Sequence, residues 1–316
     1  MIRLLLRESW IIFGTLLGVS LVAFLPTGWH YLSSPIELFS HYSQFLQQLF
    51  SGQWGVNLLS GNAISVELSR ALPASAELAL FAMLMALPGG MLLGVIAARY
   101  HHRWPDRSIG VLTLMGYSVP TFWWAFILVL LFSLTLMWLP ASGRLSFLYD
   151  IESRSGFLLL DTLLSSQPYA SEAFGNALAH LLLPSIVLAF LPLAVIARVT
   201  RGALIESLQS DYIRMARGQG VPESRLLWVY ALRNAAVPLL NMLALQLSVF
   251  VTCQVLAEHI FAWPGIGKWL LDAVKRQDTS AVQFGVLTVG VFIVLVNVMM
   301  DILQSRLNPL RWRKRK

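Results

Sequence analysis

Charged side chains are scarce in this 316-residue chain: Asp, Glu, Lys and Arg make up 12% of it, about half the share of a typical soluble domain. With 57% hydrophobic residues and a mean hydropathy of +0.67, that scarcity excludes an ordinary water-soluble globule and points to an integral membrane protein. Cysteine is nearly absent. Cys253 alone forms no intrachain disulfide, so a disulfide scaffold is excluded and the redox compartment is not encoded. The 21 glycines and 14 prolines are scattered without period, which excludes collagen and low-complexity disorder. No internal repeat is visible, so nothing supports an inverted-repeat carrier.

The usual catalytic constellations are missing too. His101 and His102 are adjacent and do not face each other on a helix, and His30, His41, His180 and His259 lie in separate segments, so no metal set is expected. Ser118 follows Gly116-Tyr117 but lacks the closing glycine of a hydrolase elbow. A phosphate-binding loop is also absent. The nearest approach, Pro264-Gly265-Ile266-Gly267-Lys268-Trp269, has Ala262 where the first glycine belongs and Trp269 where Ser or Thr belongs.

What is there is long apolar runs. A spanning helix needs roughly 20 mostly apolar residues, and there are six candidate runs: Trp10 to Leu25, Ala74 to Ala98, Ile109 to Trp138, Leu178 to Ile196, Ala236 to Ala257 and Phe284 to Leu303. The first is short, with Arg3 and Arg7 ahead of it like a signal peptide. No small-x-small cleavage site follows in Pro26-Thr27-Gly28-Trp29-His30, so an uncleaved span is expected. With the N-terminus inside, 17 of the 23 Lys and Arg residues fall in inner segments, which predicts both termini on the cytoplasmic side. The net charge of +7 is then explained by topology, and no nucleic-acid partner is expected. The outer segments, Pro26 to Pro73 and Leu139 to Ala177, either form small ordered structures at the outer mouth or only connect spans.

The inner segment from Arg198 to Pro238 is too long and too patterned to be a simple connector. Ala203, Leu204, Leu208, Tyr212 and Met215 recur at helical spacing and predict an amphipathic extension of the fourth span. Asp211 is expected to cap a short turn, Gly218, Gly220 and Pro222 to break the chain, and a second helix to run from Glu223 to Asn234 with Leu226, Leu227, Tyr230 and Ala231 on one face. Arg214, Arg217 and Arg225 surround the small residues Ala216 and Gly218, which allow close backbone approach. Such a knob reads as a docking element. A hairpin resting on anionic headgroups is the alternative, to which a glycine-rich turn adds nothing.

Near the outer end of the fifth span, Glu258 and the PGIG run read either as lining the outer mouth or as a capping carboxylate and an ordinary turn. Gln246 and Gln254, about two helical turns apart, either line a translocation path or hydrogen-bond between helices. Gly90-x-x-x-Gly94 predicts a close-packing face.

DYIRMARGQG followed by LRNAAVP resembles the coupling loop of bacterial ABC importer permeases, of the dipeptide and oligopeptide permease B type. The resemblance continues through Leu72-Pro73 with Glu77, Gly90 and Gly94, Asp106, Ser118-Val119-Pro120 with Phe122, and Pro140 with Gly143. It runs on through Glu258, Phe261, Pro264 to Gly267, Asp278, Asn297, Asp301 and Asn308-Pro309, covering essentially the whole chain. Within that family, Ser133 to Leu136, Leu139 to Arg144 and Ser155 to Phe157 look closest to the Sap (sensitivity to antimicrobial peptides) permease B subunit. Two departures stand out. Arg214, Met215 and Ala216 occupy the Glu-Ala-Ala positions of the general motif, and Gly218 replaces a usual alanine, which is expected to loosen the docking helix by about 1 kcal/mol.

The resemblance implies an all-α polytopic protein of six transmembrane helices with the type I ABC permease fold, in the bacterial inner membrane. It divides the chain into a first helix and periplasmic segment (1–72), a transmembrane core (73–305) and a basic cytoplasmic tail (306–316). It implies no catalysis and no cofactor in this chain: ATP and Mg belong to two cytoplasmic ATPase subunits. A second homologous permease, a periplasmic solute-binding protein and membrane lipid complete the expected partners. Asp211, Tyr212, Arg214, Ala216, Arg217, Gly218 and Gly220 are the expected ATPase contacts. Gln246, Gln254, Glu258, Phe261, Pro264, Gly265, Gly267 and Asp278 are expected at the translocation path or outer gate. Antimicrobial peptides are the expected cargo, with putrescine export, dipeptides or nickel as alternatives. A self-sufficient secondary carrier or channel is the rival of another class, but the ionisable relays it needs at membrane depth are nearly missing.

Overall fold

The computed structural model describes residues 2–28 and 35–307, so Trp29 and His30 and the basic tail from 308 onward lie outside the described residues. Among the described residues the regular structure is all helical, apart from one isolated bridge between Val56 and Ala63. The helices are α1 (Ile2–Gly28), α2 (Pro35–Ser51), α3 (Ile64–Arg99), α4 (Trp104–Ser118), α5 (Thr121–Leu128) and α6 (Leu158–Leu163). They continue with α7 (Ala170–Leu208), α8 (Asp211–Gly218), α9 (Glu223–Arg225), α10 (Leu232–Ile260), α11 (Ile266–Lys275) and α12 (Thr279–Leu307). α3, α7 and α12 are each long and apolar enough to cross a membrane, and α4 with α5 makes a fourth such unit if the bent pair is one span.

That pair corrects the expectation of one straight run from Ile109 to Trp138: α4 and the segment Thr121–Thr135 are bent by 103°. Pro120 is the cause. Its ring keeps the preceding Val119 out of the helical region, at φ −82° and ψ 125°, and it has no N–H to continue the ladder. After α5 the chain runs on as a π-helix over Val129–Thr135. The second expected span also begins earlier, at Ile64 instead of Ala74, because Pro73 is absorbed within α3.

α7 is the central post. Two-thirds (67%) of its most apolar window is buried, against 28% in α3 and in α12. The small residues are on α3, where Ala74, Ala82, Ala86, Gly90 and Gly94 are buried. A Cβ at Gly90 would lie 2.8 Å from Ile196 Cβ and from the Leu193 carbonyl oxygen, and one at Gly94 would lie 2.6 Å from Thr200 Cβ. The Gly90-x-x-x-Gly94 stripe is therefore the close-packing face expected. Gly94→Val should separate the two helices and destabilise the protein by about 1–3 kcal/mol, read as a lower unfolding midpoint in detergent; an unchanged midpoint would contradict this packing.

Among the described residues, the segments 26–73 and 139–177 make packing contacts of their own. α2 packs Tyr42 and Phe45 against Phe24 of α1 and Phe284 of α12, and Trp54 stacks on Phe284 at 5.3 Å between ring centroids. In the second segment, the Arg144 guanidinium pairs with buried Glu77 and donates to the Gly156 carbonyl at 2.7 Å. The peptide N–H of Leu159, in α6, also donates to Glu77, at 2.9 Å.

Candidate functional site

At one end of the bundle, α7 overruns its apolar core and stops at Leu208. A turn then starts α8, whose N-cap position is Ser210, so Asp211 is the first helical residue and not the cap. Asp211 is exposed and lies 3.7 Å from Arg214, itself exposed. Tyr212 and Met215 consequently belong to a separate helix and not to an extension of the fourth span. Ile213, which the sequence pattern did not single out, is fully buried and seats the helix. The Tyr212 hydroxyl accepts from the Asn234 side-chain amide of α10 and shares a hydrogen bond with Ser207 of α7. α8 is thereby tied to two long helices at once.

The tip of the knob is built by the backbone. The Val221 N–H returns to the Ala216 carbonyl at 3.2 Å, and Gly220 sits at φ +80°, a left-handed conformation natural only to glycine. Gly218 is the last residue of α8, so the expected interior penalty does not apply there. Arg217 forks onto Glu223 across the turn. That hydrogen bond holds the Glu223 carboxyl below its ordinary range. The second expected helix does not stop at Asn234. It passes from α9 through a π-helix over Leu226–Ala231 directly into α10. The π register, with its i to i+5 bonding, buries Leu226, Leu227 and Ala231 and leaves Tyr230 exposed, so Tyr230 does not share the apolar face expected for it.

At the opposite end Glu258 is fully buried. It accepts from Ser75 Oγ at 2.6 Å, Gln254 Nε2 at 2.9 Å, the Gly267 N–H at 2.7 Å and the Lys268 N–H at 3.2 Å. The last two donors are orphan N–H groups of the first turn of α11, so Glu258 caps that helix from a distance. Gly267 makes room for it: a Cβ there would lie 2.8 Å from Val255 Cα. Gly265 is the N-cap position of α11, and a Cβ on it would overlap the carboxylate itself. Gln254 also donates to the Ser75 carbonyl at 2.8 Å, and Phe261 and Trp263 are buried beside them. Pro264 lies in the connecting turn. Asp278 caps α12 through the Ala281 N–H at 3.0 Å and holds the Leu58 N–H at 2.9 Å. Glu258, Gln254 and Asp278 here form caps and interhelical bonds.

Gln246 is placed elsewhere. It lines a 500 Å³ cavity at the α4–α5 bend, together with Tyr117, Phe122, Trp124, Phe190 and Cys253. Gln246 and Gln254 thus share a helix but not a site. Thr121 Oγ1 donates to Cys253 Sγ at 3.2 Å, and the buried Trp124 indole N–H has no hydrogen-bond partner among the described residues. The lining carries no charged side chain. The volume is in the range of small-ligand sites.

A third cluster, at the α8 end, escaped the sequence reading. The Arg201 guanidinium of α7 grips Asp106, in the first turn of α4, through both carboxylate oxygens, and His101 and the His102 N–H add 3.1 and 3.0 Å contacts. No local pattern flags a pair so distant in sequence. Among the described residues no group of His, Cys, Asp and Glu is arranged to hold a metal ion.

The family model described as "binding-protein-dependent transport system inner membrane component" matches residues 90–313. The di/tripeptide transport system permease protein DppB of Pseudomonas aeruginosa is 45% identical over 280 residues, which is 89% of this chain and 82% of that protein. The peptide transport system permease protein SapB of Salmonella typhimurium is 36% identical over 98% of this chain and 95% of its own length. The putrescine export system permease protein SapB of Escherichia coli K12 is 35% identical over the same shares.

Proposed function

We propose, since the chain belongs to the binding-protein-dependent transport system inner membrane components, that it forms half of a translocation path whose opening is driven through α8 by cytoplasmic ATPases. It is an inner-membrane permease component, related to peptide and dipeptide permeases. In this reading six spans are supplied by α1, α3, the α4–α5 pair, α7, α10 and α12, with both termini inside. The divisions 1–72, 73–305 and 306–316 serve as anchor, core and tail. ATP and Mg are held by two partner ATPases, and a second homologous permease and a periplasmic binding protein complete the assembly.

The observation that carries the reading is the Tyr212 bridge. A force on α8 reaches α7 through Ser207 and α10 through Asn234, and both helices wall the cavity holding Gln246 and Cys253. ATP binding therefore biases two arrangements of one connected unit, which is what coupling requires. Asp211, Arg214, Ala216, Arg217, Gly218 and Gly220 present the exposed knob to the ATPase. Glu258, Gln254, Phe261, Pro264, Gly265, Gly267 and Asp278 serve the outer gate by holding α11 and its flanking turns rigidly against α3 and α10.

The uncharged, aromatic cavity favours peptides over a polyamine, which needs facing carboxylates. ATP-driven uptake of a labelled tripeptide by the reconstituted assembly, with labelled putrescine as competitor, tests this. The tripeptide should be carried and putrescine should not compete. Cys253 is the chain's only cysteine, and maleimide on it should block uptake, with tripeptide protecting. Putrescine transport, or full uptake after complete Cys253 labelling, would overturn the cargo or the path respectively.

A further inference from the structure

Beside the Asp106–Arg201 pair lies a second cavity, of 580 Å³, between α4 and α7. Arg107, Arg198, Arg201 and Asp106 are its charged walls, and His102 stands at its rim. Asp106 is buried, and its carboxylate is already occupied by Arg201, the His101 ring and the His102 N–H. Its negative charge is spent internally, so three arginines against one carboxylate leave the lining with two uncompensated cations, Arg107 and Arg198. Neither of them has an ion-pair partner among the described residues. Arg198 is instead steadied by the Tyr117 ring, 5.7 Å from its centroid, a contact that orients a guanidinium without using its N–H donors.

The remaining wall is apolar: Ile109, Gly110, Thr113, Leu114 and Ala197. It continues along α4 into an exposed strip of Val111, Leu112, Leu114 and Met115. A site for a free anion has no use for such a strip. A molecule with a phosphate at one end and hydrocarbon at the other uses both walls, because the arginines take the phosphate and the α4 strip takes the chain. Gly110 has open space around it, which leaves the passage between the two walls unobstructed.

We infer that the α4–α7 cavity is a binding site for an anionic phospholipid, its phosphate held by Arg107 and Arg198 and an acyl chain lying along Gly110 and Leu114. Basic pockets between membrane helices bind acidic headgroups by this combination of charge and shape. The location joins the site to the proposed mechanism, since α7 carries α8 and α4 leads into the bend at Pro120. It rests on that reading only for the leaflet, the cytoplasmic one, and not for the chemistry.

The test is native mass spectrometry of the full chain in detergent, titrated with phosphatidylglycerol, phosphatidylethanolamine or inorganic phosphate. Wild type is expected to retain one phosphatidylglycerol in preference to phosphatidylethanolamine. Arg107→Gln with Arg198→Gln should weaken it by about tenfold or more, and Arg107→Lys with Arg198→Lys should restore much of it. Arg103→Gln, one positive charge removed outside the cavity, should change it by less than about twofold. Both positions are exposed, so folding is not at risk. Displacement of the lipid by millimolar inorganic phosphate would make the site a free-anion site and overturn the lipid assignment. Equal loss with Arg103→Gln would reduce it to general surface charge and overturn it as well. Loss of ATPase subunits from pull-downs with lipid retention unchanged would reassign the arginines to a protein contact.

Discussion

Gly220→Arg is expected to strip the ATPase subunits from the chain in a pull-down from gently solubilised membranes and to abolish ATP-driven transport, while leaving the chain folded and its partner permease attached. The geometry separates these outcomes. Gly220 is exposed and has no heavy atom within 4 Å of where a Cβ would stand, so a side chain there starts out into open space. Its φ of +80° makes any other residue strained, by about 1–2 kcal/mol, too little to unfold a domain of ordinary stability. Whatever is lost must therefore be lost to something outside the chain. Gly220→Ala carries nearly the same strain without the bulk and should retain most of the ATPase. If the arginine variant keeps its ATPases and transports normally, the knob is not the docking element. A wild-type chain that purifies alone, under conditions that preserve a control complex, would bring the self-sufficient carrier to the front.

The second large effect is expected at Glu258. Replacing it with alanine leaves Ser75 Oγ, Gln254 Nε2 and the N–H groups of Gly267 and Lys268 without their acceptor in a site closed to water. Buried donors left unpaired cost about 1–3 kcal/mol each, and some recover through relaxation. A net loss of about 3–5 kcal/mol is expected, seen as poor yield and a much lower unfolding midpoint in detergent. Glu258→Gln keeps the shape but turns one acceptor into a donor facing donors, so it should fall between the two. A stable Glu258→Ala variant with a wild-type midpoint would show that the carboxylate does not hold α11 in place. A stable variant that has lost transport would give Glu258 a role in the translocation path beyond holding α11.

Features carried by a single element are legible in the sequence. Gly90 and Gly94 are a turn apart on one helix, and a close-packing face follows from that spacing, whereas α7 as the partner does not. The knob was legible from Gly218, Gly220 and Pro222, although its first helix is separate from α7 and its second runs unbroken into α10. The bend at Val119–Pro120 stood in plain view as Ser118-Val119-Pro120, yet a hydropathy window averages over a proline whose effect is on dihedral angles. Glu258 carried two readings that the sequence left open, because its donors come from α3, α10 and the start of α11. The pairing of Asp106 with Arg201 left no signal, since nothing local says that a carboxylate on α4 meets a guanidinium on α7.

By itself the sequence determined that this protein lives in a bilayer, that it carries no nucleotide loop, and that it offers a glycine-tipped knob. Those are properties of composition and short spacing, and water, lipid and backbone sterics act on them before any tertiary contact forms. Only the tertiary structure decided that Gln246 and Gln254 part company, that Glu258 is an acceptor for four donors, and that Arg107 and Arg198 are left with charge to spare. Each of these depends on how distant helices are turned toward one another. That rotation is set by the fit of many side chains around α7, a sum over the whole bundle that no single segment contains.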